Sequence, residues 1–158
     1  METKVLALAG KIFTHKKEKN ILTSIDPKDV MQVNYPIIAS DQHLADLVEL
    51  IKQSDRNIFV VIDNRQRFAG IIELNDIKQK LFNPASFNKI TVGSLMKKPA
   101  ATIDEKESMH SIMEKFDLTN SWHLPVLDNN KKFKGFISKS QLFSKYRDLL
   151  SRQSDLYE

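Results

Sequence analysis

The chain has 158 residues, of which 41% are hydrophobic and 28% are charged, and its formal net charge is +4 at pH 7. This length has room for one compact domain or for two units that share a core. The absence of cysteine excludes disulfide bonds, thiol catalysis and zinc sites with cysteine ligands. The basic residues are scattered along the chain, so nucleic acid is not expected as a partner.

The first 25 residues are predicted to form a helix followed by a juncture. Apolar residues at helical spacing are followed by a basic cluster; they are Val5, Leu6, Ala9, Ile12 and Phe13, and then Lys16, Lys17 and Lys19. Lys4, Lys11 and Lys16 interrupt any apolar core of a signal peptide. The longest uncharged apolar run, Ile58–Ile62, is too short to cross a bilayer.

The chain from Asp26 onward aligns without a gap on the chain from Thr91 onward, so the sequence contains two matching halves. Each half opens with a residue suited to cap a helix, Asp26 or Thr91, and Pro27 occupies a first helical position. Ile38 then falls on Ile103, each in a short extended stretch. The halves therefore begin with the same local structure.

Two amphipathic helices follow in register. Their apolar residues recur at i, i+3, i+4 and i+7, and are Leu44, Leu47, Val48 and Ile51 in the first half and Met109, Ile112, Met113 and Phe116 in the second. We interpret the methionines as core residues.

Each half then contains a predicted β-hairpin and a closing helix. The first hairpin pairs residues 58–62 with 68–72, and the second pairs 123–127 with 133–137. Their turns begin with Asp63-Asn64 and Asp128-Asn129, residues that tolerate left-handed geometry. Gly70 coincides with Gly135, as expected where a strand passes close to another backbone. The closing helices are predicted over residues 74–82 and 139–150, with residues 83–90 as the connector.

These features resemble the cystathionine-β-synthase (CBS) domain pair. The Val30-Met31 and Leu95-Met96 openings, the strand at residues 123–128 and the glycine-to-aspartate segment at residues 70–76 carry the resemblance. It implies an α+β fold of two β-α-β-β-α CBS repeats packed around a pseudo-twofold axis. The first repeat would span residues 26–82, the second would span residues 91–147, and a tail would cover residues 148–158.

Residues 15–23 are similar to the juncture that follows the last membrane helix of bacterial CLC-family chloride channels and transporters, so residues 1–25 would lead from a membrane domain that is missing here. Residues 135–143 and 145–147 are similar to the end of the cytosolic tails of these proteins. This resemblance implies a cytoplasmic regulatory domain of an integral inner-membrane protein, with the membrane domain of the same polypeptide as a partner. The basic cluster after the first helix fits the positive-inside bias, although the same helix could simply cover an edge of the fold. The alternatives are a stand-alone adenylate sensor and an accessory module of a metabolic enzyme or a cation-efflux protein.

In many CBS pairs, a cleft between the repeats holds an adenine nucleotide, recognised by a Gly-apolar-apolar-Thr/Ser-x-x-Asp motif. The first repeat keeps the ribose-binding carboxylate as Asp76, but Glu73 replaces the hydroxyl and would repel a phosphate. The second repeat offers Ser138 and Lys139 to a phosphate, but Gln141 replaces the carboxylate. The split motif predicts weak or no binding of ATP, ADP or AMP, and no cofactor is required.

Three further features leave two interpretations open. Asp76 either binds ribose or caps its helix. Tyr35 either stacks on a purine or closes the core. The basic residues of the hairpin turns either are simply solvated or dock to an anionic surface; they are Arg65, Arg67, Lys131, Lys132 and Lys134.

The sequence contains no nucleophile–base set, phosphate-binding glycine loop, paired carboxylates or metal-ligand spacing, so we expect no enzyme activity and no metal. An apolar stripe near the C-terminus predicts a homodimer, since it would be costly to leave in water; it consists of Leu142, Phe143, Tyr146, Leu149 and Leu150.

Overall fold

A computed structural model describes residues 21–157, with side chains up to residue 152. The strands are β1 (Met31–Gln32), β2 (Ile37–Ala39), β3 (Ile58–Ile62), β4 (Phe68–Glu73), β5 (Ile103–Asp104), β6 (His123–Leu127) and β7 (Phe133–Ser138). The α-helices are α1 (Leu44–Gln53), α2 (Leu74–Ile77), α3 (Val92–Leu95), α4 (Met109–Thr119) and α5 (Lys139–Tyr157). Short 3₁₀ turns cover Pro27–Val30, Lys78–Phe82 and Pro84–Ser86. Within residues 21–157, no helix is both long enough and apolar enough to cross a membrane.

The described chain forms two compact units that are not the two sequential repeats. Unit 1 contains residues 21–32, 100–126 and 136–157, and unit 2 contains residues 33–99 and 127–135. Unit 2 therefore includes the turn of the second hairpin as well as most of the first repeat.

In unit 2, a three-stranded sheet has the order β2-β3-β4. β2 pairs with β3 in parallel, with Ile38 opposite Val61, and α1 forms the crossover that a parallel pair requires. β3 pairs with β4 antiparallel, with Val61 opposite Gly70. The core residues are buried and apolar: Ile38, Leu44, Leu47, Phe59, Val61, Ile72, Ile77 and Val92.

The other sheet has the order β1-β7-β6-β5, and β1 pairs antiparallel with β7 through Met31 and Ile137. The core of unit 1 is built on α4, α5 and this sheet. Its most deeply buried members are Leu22, Ile103, Ile112, Met113, Phe116, Leu124, Ile137 and Leu142. Both predicted amphipathic helices and both hairpins are confirmed by these elements.

The helix openings agree with the prediction in the first half only. The Asp26 side chain accepts a hydrogen bond from the Lys28 backbone N–H at 3.0 Å, and Pro27 begins the turn. Thr91 precedes α3, but its side chain makes no capping hydrogen bond. Instead, the Thr91 carbonyl accepts from the Ser94 hydroxyl at 2.7 Å.

The prediction of left-handed geometry at Asp-Asn in the hairpin turns was wrong. The positive φ angles lie at Gln66 and Lys131, both at 65°. Asp63 and Asp128 instead accept backbone N–H groups of their own turns, from residues 65 and 67 and from residues 130 and 132. These hydrogen bonds fix the start of each turn, so the left-handed residue falls three positions later.

The closing helices and the connector differ in extent from the prediction. The stretch over residues 74–82 is only one α-helical turn followed by a 3₁₀ turn, whereas α5 continues well beyond residue 150. The connector packs back on its own unit, because the amides of Leu44 and Ala45 donate to the carbonyls of Ile90 and Phe87 at 2.8 and 2.9 Å.

The C-terminal apolar stripe is not left in water. Leu142 is completely buried and Tyr146 is 6% exposed, while Phe143, Leu149 and Leu150 pack against the core of unit 1. The stripe is therefore not by itself a reason to expect a homodimer, since its residues pack against the core of their own unit. The predicted N-terminal helix and basic cluster at residues 1–20 lie outside the described residues.

Candidate functional site

The residues predicted to bind a nucleotide are divided between the two units. Tyr35 and Asp76 belong to unit 2, and Ser138, Lys139 and Gln141 belong to unit 1. Each group has a distinct environment.

Asp76 lies in the first turn of α2, immediately after β4, with about half of its side chain exposed. Lys97 places its ammonium nitrogen 2.8 Å from a carboxylate oxygen of Asp76 and 2.8 Å from one of Glu73. Hydrogen bonds to Asp76 and then to Glu73 raise the pKa of Lys97 above its ordinary value. The carboxylates of Glu73 and Asp76 therefore both form an ion pair with the ammonium group of Lys97.

Lys97 is held in this position by its backbone. Its carbonyl accepts from the amide of Ile71 at 2.9 Å, and its amide donates to the carbonyl of Ile71 at 2.8 Å. This bridge requires a glycine beside it, because a Cβ at Gly70 would lie 2.9 Å from the Lys97 carbonyl oxygen and 3.0 Å from the Met96 sulfur. The predicted close backbone approach at Gly70 is confirmed.

Sequence reasoning missed Lys97. The residue lies 24 positions from Glu73, and no helical or strand periodicity links the two. The available signal was indirect: Lys97 directly follows the Leu95-Met96 opening, and Gly70 indicated that some backbone must approach β4.

Ser138 ends β7 and caps α5. Its hydroxyl oxygen accepts the backbone N–H of Gln141 at 3.1 Å and lies 3.4 Å from the hydroxyl of Ser140. Gln141 is exposed and lines an open depression of about 250 Å³ in unit 1, together with Asp29, Val30, Ser144, Lys145 and Asp148. Ser138 thus has a structural role at the position predicted to contact phosphate.

Lys139 is buried, with only 2% of its surface exposed. Its ammonium lies 5.0 Å from the centroid of the Trp122 ring, and its amide donates to the Trp122 carbonyl at 2.7 Å. Burial raises the pKa of Asp117, the positive charge of Lys139 opposes this rise, and Glu114 adds to it. Lys139 is therefore a buried cation whose charge acts on the half-buried Asp117.

Tyr35 lies in a cluster of rings in unit 2. The Arg56 guanidinium lies 4.2 Å from the centroid of its ring, and Phe133 approaches it edge-on at 6.5 Å. Phe133 in turn stacks on Phe68 at 6.3 Å. Cation–π and edge-to-face contacts of this kind stabilise the unit whether or not a purine binds nearby.

Across the part of the chain that the structure describes, no group of three or more His, Cys, Asp or Glu side chains could hold a metal ion.

Two copies of a β-α-β-β-α repeat, each ending in a strand that contains a glycine and in a helix, define a tandem-repeat fold. The family model described as CBS domain matches residues 28–83 and 92–148. The chain belongs to the CBS domain family.

Several solved structures share the fold. CbpB in complex with c-di-AMP has a TM-score of 0.69 and 16% identity, over 96% of this chain and 99% of that one. A CBS domain protein from Streptococcus pneumoniae has a TM-score of 0.68 and 16% identity, over 91% and 97%. CBSX2 in complex with AMP has a TM-score of 0.62 and 19% identity, over 82% and 99%. The predicted α+β CBS-pair fold with two repeats is confirmed.

One curated relative also matches this chain. It is named homoserine O-acetyltransferase, from Methanosphaera stadtmanae, and is 24% identical over 127 residues. The match covers 80% of this chain and 25% of the relative, so the chain spans about a quarter of that protein's length.

Proposed function

We propose that this chain is a regulatory CBS pair that binds an adenine-containing nucleotide with low affinity. The observation that carries the proposal is the half-exposed carboxylate of Asp76, presented after the glycine strand of a CBS repeat. Two proteins of the same fold are complexes with c-di-AMP and with AMP. We assign the ribose hydroxyls to Asp76, because a carboxylate has acceptor positions for two hydroxyl donors even when one oxygen also binds Lys97.

The low affinity follows from the charges around this position. Glu73 stands where the family motif has a hydroxyl, and its carboxylate opposes a phosphate. Lys97 offsets part of that repulsion, because its ammonium lies 2.8 Å from Glu73. In the second repeat, Gln141 replaces a charge-assisted acceptor by a neutral one, a loss of about 1 to 2 kcal/mol. Together, these changes weaken binding by about 10- to 100-fold.

Isothermal titration calorimetry with AMP, ADP, ATP, c-di-AMP and adenosine tests this proposal. We expect dissociation constants above about 10 µM, with affinity falling as phosphates are added next to Glu73. Asp76→Ala should abolish the heat of binding. Asp55→Ala removes an exposed carboxylate from the same unit and should leave binding unchanged. Equal losses in the two variants would contradict the assignment of Asp76.

A ligand regulates only if it binds two arrangements of the pair with different affinity. Regulation through contacts in a homodimer is part of the proposal. It rests on the resemblance to CBS pairs and not on the C-terminal stripe, because the stripe packs against the core of unit 1.

The larger protein that such a module serves is a separate proposal. The match to a quarter of a protein named homoserine O-acetyltransferase favours an accessory module of a metabolic enzyme. The chloride-channel alternative rests on residues 15–23 and 135–147 alone, and the comparisons give it no support. Sequencing the genomic reading frame upstream of residue 1 tests both: a catalytic domain supports the accessory module, whereas many apolar segments of about 20 residues support transport.

A further inference from the structure

Unit 2 brings the turns of the two hairpins together. The amide of Phe68, at the end of the first turn, donates to the carbonyl of Lys131, in the second turn, at 2.8 Å. The Phe68 and Phe133 rings stack beneath them at 6.3 Å. Turns from two different repeats thus contribute to one surface, which we call the paired-turn surface, made of residues 63–68 and 127–135.

The paired-turn surface concentrates positive charge. It carries five basic side chains against two acidic ones, a net charge of +3 in a chain whose net charge is +4. All five basic residues are exposed: Arg65, Arg67, Lys131, Lys132 and Lys134. The interpretation of the basic residues as scattered is wrong for this group, because the structure places them on adjacent turns.

The two carboxylates of this surface are engaged by their own turns. Asp63 accepts the amides of Arg65 and Arg67, and the hydrogen bond from the Arg67 amide is the main cause that lowers its pKa. Asp128 accepts the amides of Asn130 and Lys132, and the Lys132 amide is the main cause that lowers its pKa. Both carboxylates therefore stay ionised, yet they are half-buried, and the exposed charges are all cationic.

We propose that the paired-turn surface docks this chain on a membrane that contains anionic lipids. The exposed residues of the paired-turn surface are all polar or charged, since its apolar side chains Phe68, Leu127 and Phe133 are partly or fully buried. A protein-docking surface instead has an exposed apolar or aromatic centre. Binding of single-stranded nucleic acid uses exposed rings for stacking, but Tyr35, Phe68 and Phe133 pack against one another here. Exposed lysines and arginines without an apolar anchor suit a fluid anionic surface, where each contributes independently.

Vesicle co-sedimentation of the full chain tests the proposal, which does not depend on nucleotide binding. The vesicles contain one part phosphatidylserine to two parts phosphatidylcholine, and pure phosphatidylcholine vesicles serve as the neutral control. Each basic residue near such a surface changes partitioning about fivefold, so Lys131→Gln/Lys132→Gln/Lys134→Gln should weaken partitioning by about 100-fold. Raising the salt from about 50 to about 500 mM should release the unsubstituted protein.

A matched control removes the same charge elsewhere in unit 2. Lys78, Lys80 and Lys89 are exposed and follow the end of β4 opposite to its turn, so Lys78→Gln/Lys80→Gln/Lys89→Gln should change partitioning less than about threefold. Circular dichroism should show the same fold for both triple variants. Equal losses in both variants, or binding to neutral vesicles, would overturn the proposal.

Two further arms distinguish other binding surfaces and other partners. Loss of vesicle binding only in Lys16→Gln/Lys17→Gln/Lys19→Gln would assign the membrane contact to the N-terminal cluster and contradict the proposal. Binding to a short single strand of DNA or to polyglutamate that is tighter than vesicle binding, and is lost in the Lys131 triple variant, would replace the lipid partner by that polymer.

Discussion

Gly70→Ala is the substitution whose effect the structure predicts most directly. The added methyl group would lie 2.9 Å from the Lys97 carbonyl oxygen and 3.0 Å from the Met96 sulfur. No glycine among the described residues has a positive φ, so the effect of the substitution comes from steric overlap and not from backbone strain. The carbonyl oxygen cannot move freely, because the amide of Ile71 donates to it at 2.9 Å.

Overlap of this size in a packed region costs about 1 to 3 kcal/mol. For a chain of this length, a loss of about 2 kcal/mol lowers the Tm by about 4 to 8 °C. The variant should also bind nucleotide more weakly, because the strand bridge that positions Lys97 beside Glu73 and Asp76 is displaced.

Thermal unfolding followed by circular dichroism, together with urea titration, measures this cost. Gly93→Ala is the matched control: its Cβ would lie 3.2 Å from the Ser40 carbonyl oxygen, and the gain in helix propensity for α3 offsets this milder contact. We expect a change within about 0.5 kcal/mol for the control. Equal stability of the Gly70 and Gly93 variants would refute the account of how β4 and Lys97 fit together.

Three other predictions concern Lys115, Lys97 and the oligomeric state. Lys115→Met should cost about 2 kcal/mol, because the Lys115 ammonium donates to Glu107, whose side chain is 10% exposed, and to the Thr102 carbonyl. Burial raises the pKa of Glu107, but hydrogen bonds from Lys115 and Ser111 outweigh burial and lower it. The stabilisation from ionised Glu107 is fully present above its unfolded pKa of about 4.5 and is lost as the pH falls through its lower folded pKa. In urea titrations from pH 7 to pH 3, the free energy of unfolding of the variant should therefore fall less steeply with acid than that of the unsubstituted protein. An unchanged dependence would contradict this. Lys97→Met should weaken the binding of AMP more than the binding of adenosine in calorimetry, since only AMP carries the phosphate that Glu73 repels. Equal losses of affinity for the two ligands would show that Lys97 does not lie near the bound phosphate. Light scattering at high micromolar concentration should show a homodimer, and a strict monomer would count against regulation through dimer contacts.

Local patterns predicted the elements but not their assembly into compact units. The apolar spacing of α1 and α4 identified the helices correctly, and the short apolar runs on either side of each Asp-Asn turn identified the strands, because these patterns depend only on neighbouring residues. The grouping of the second hairpin turn with the first repeat could not be predicted, since it depends on contacts such as that between Phe68 and Lys131. Which residues of two distant segments lie opposite each other cannot be predicted from the periodic pattern of a single sequence.

The candidate site was predicted only in part, for a related reason. The motif positions of Asp76 and Ser138 were visible, but their partners were not. Lys97 reaches Asp76 from another segment, and Lys139 is buried beside Trp122 although its neighbours in the sequence are polar. Both placements are set by tertiary contacts. Packing overrides the local preference of a lysine for solvent at Lys139, which is 2% exposed, whereas the side chain of Lys97 stays 49% exposed.

Calorimetry of AMP binding to the unsubstituted chain and to Asp76→Ala tests the central claim most directly. The account predicts weak binding, with a dissociation constant above about 10 µM, and no measurable heat in the variant. Submicromolar affinity that survives Asp76→Ala would contradict both the low affinity and the assignment of Asp76 as the ribose-binding residue.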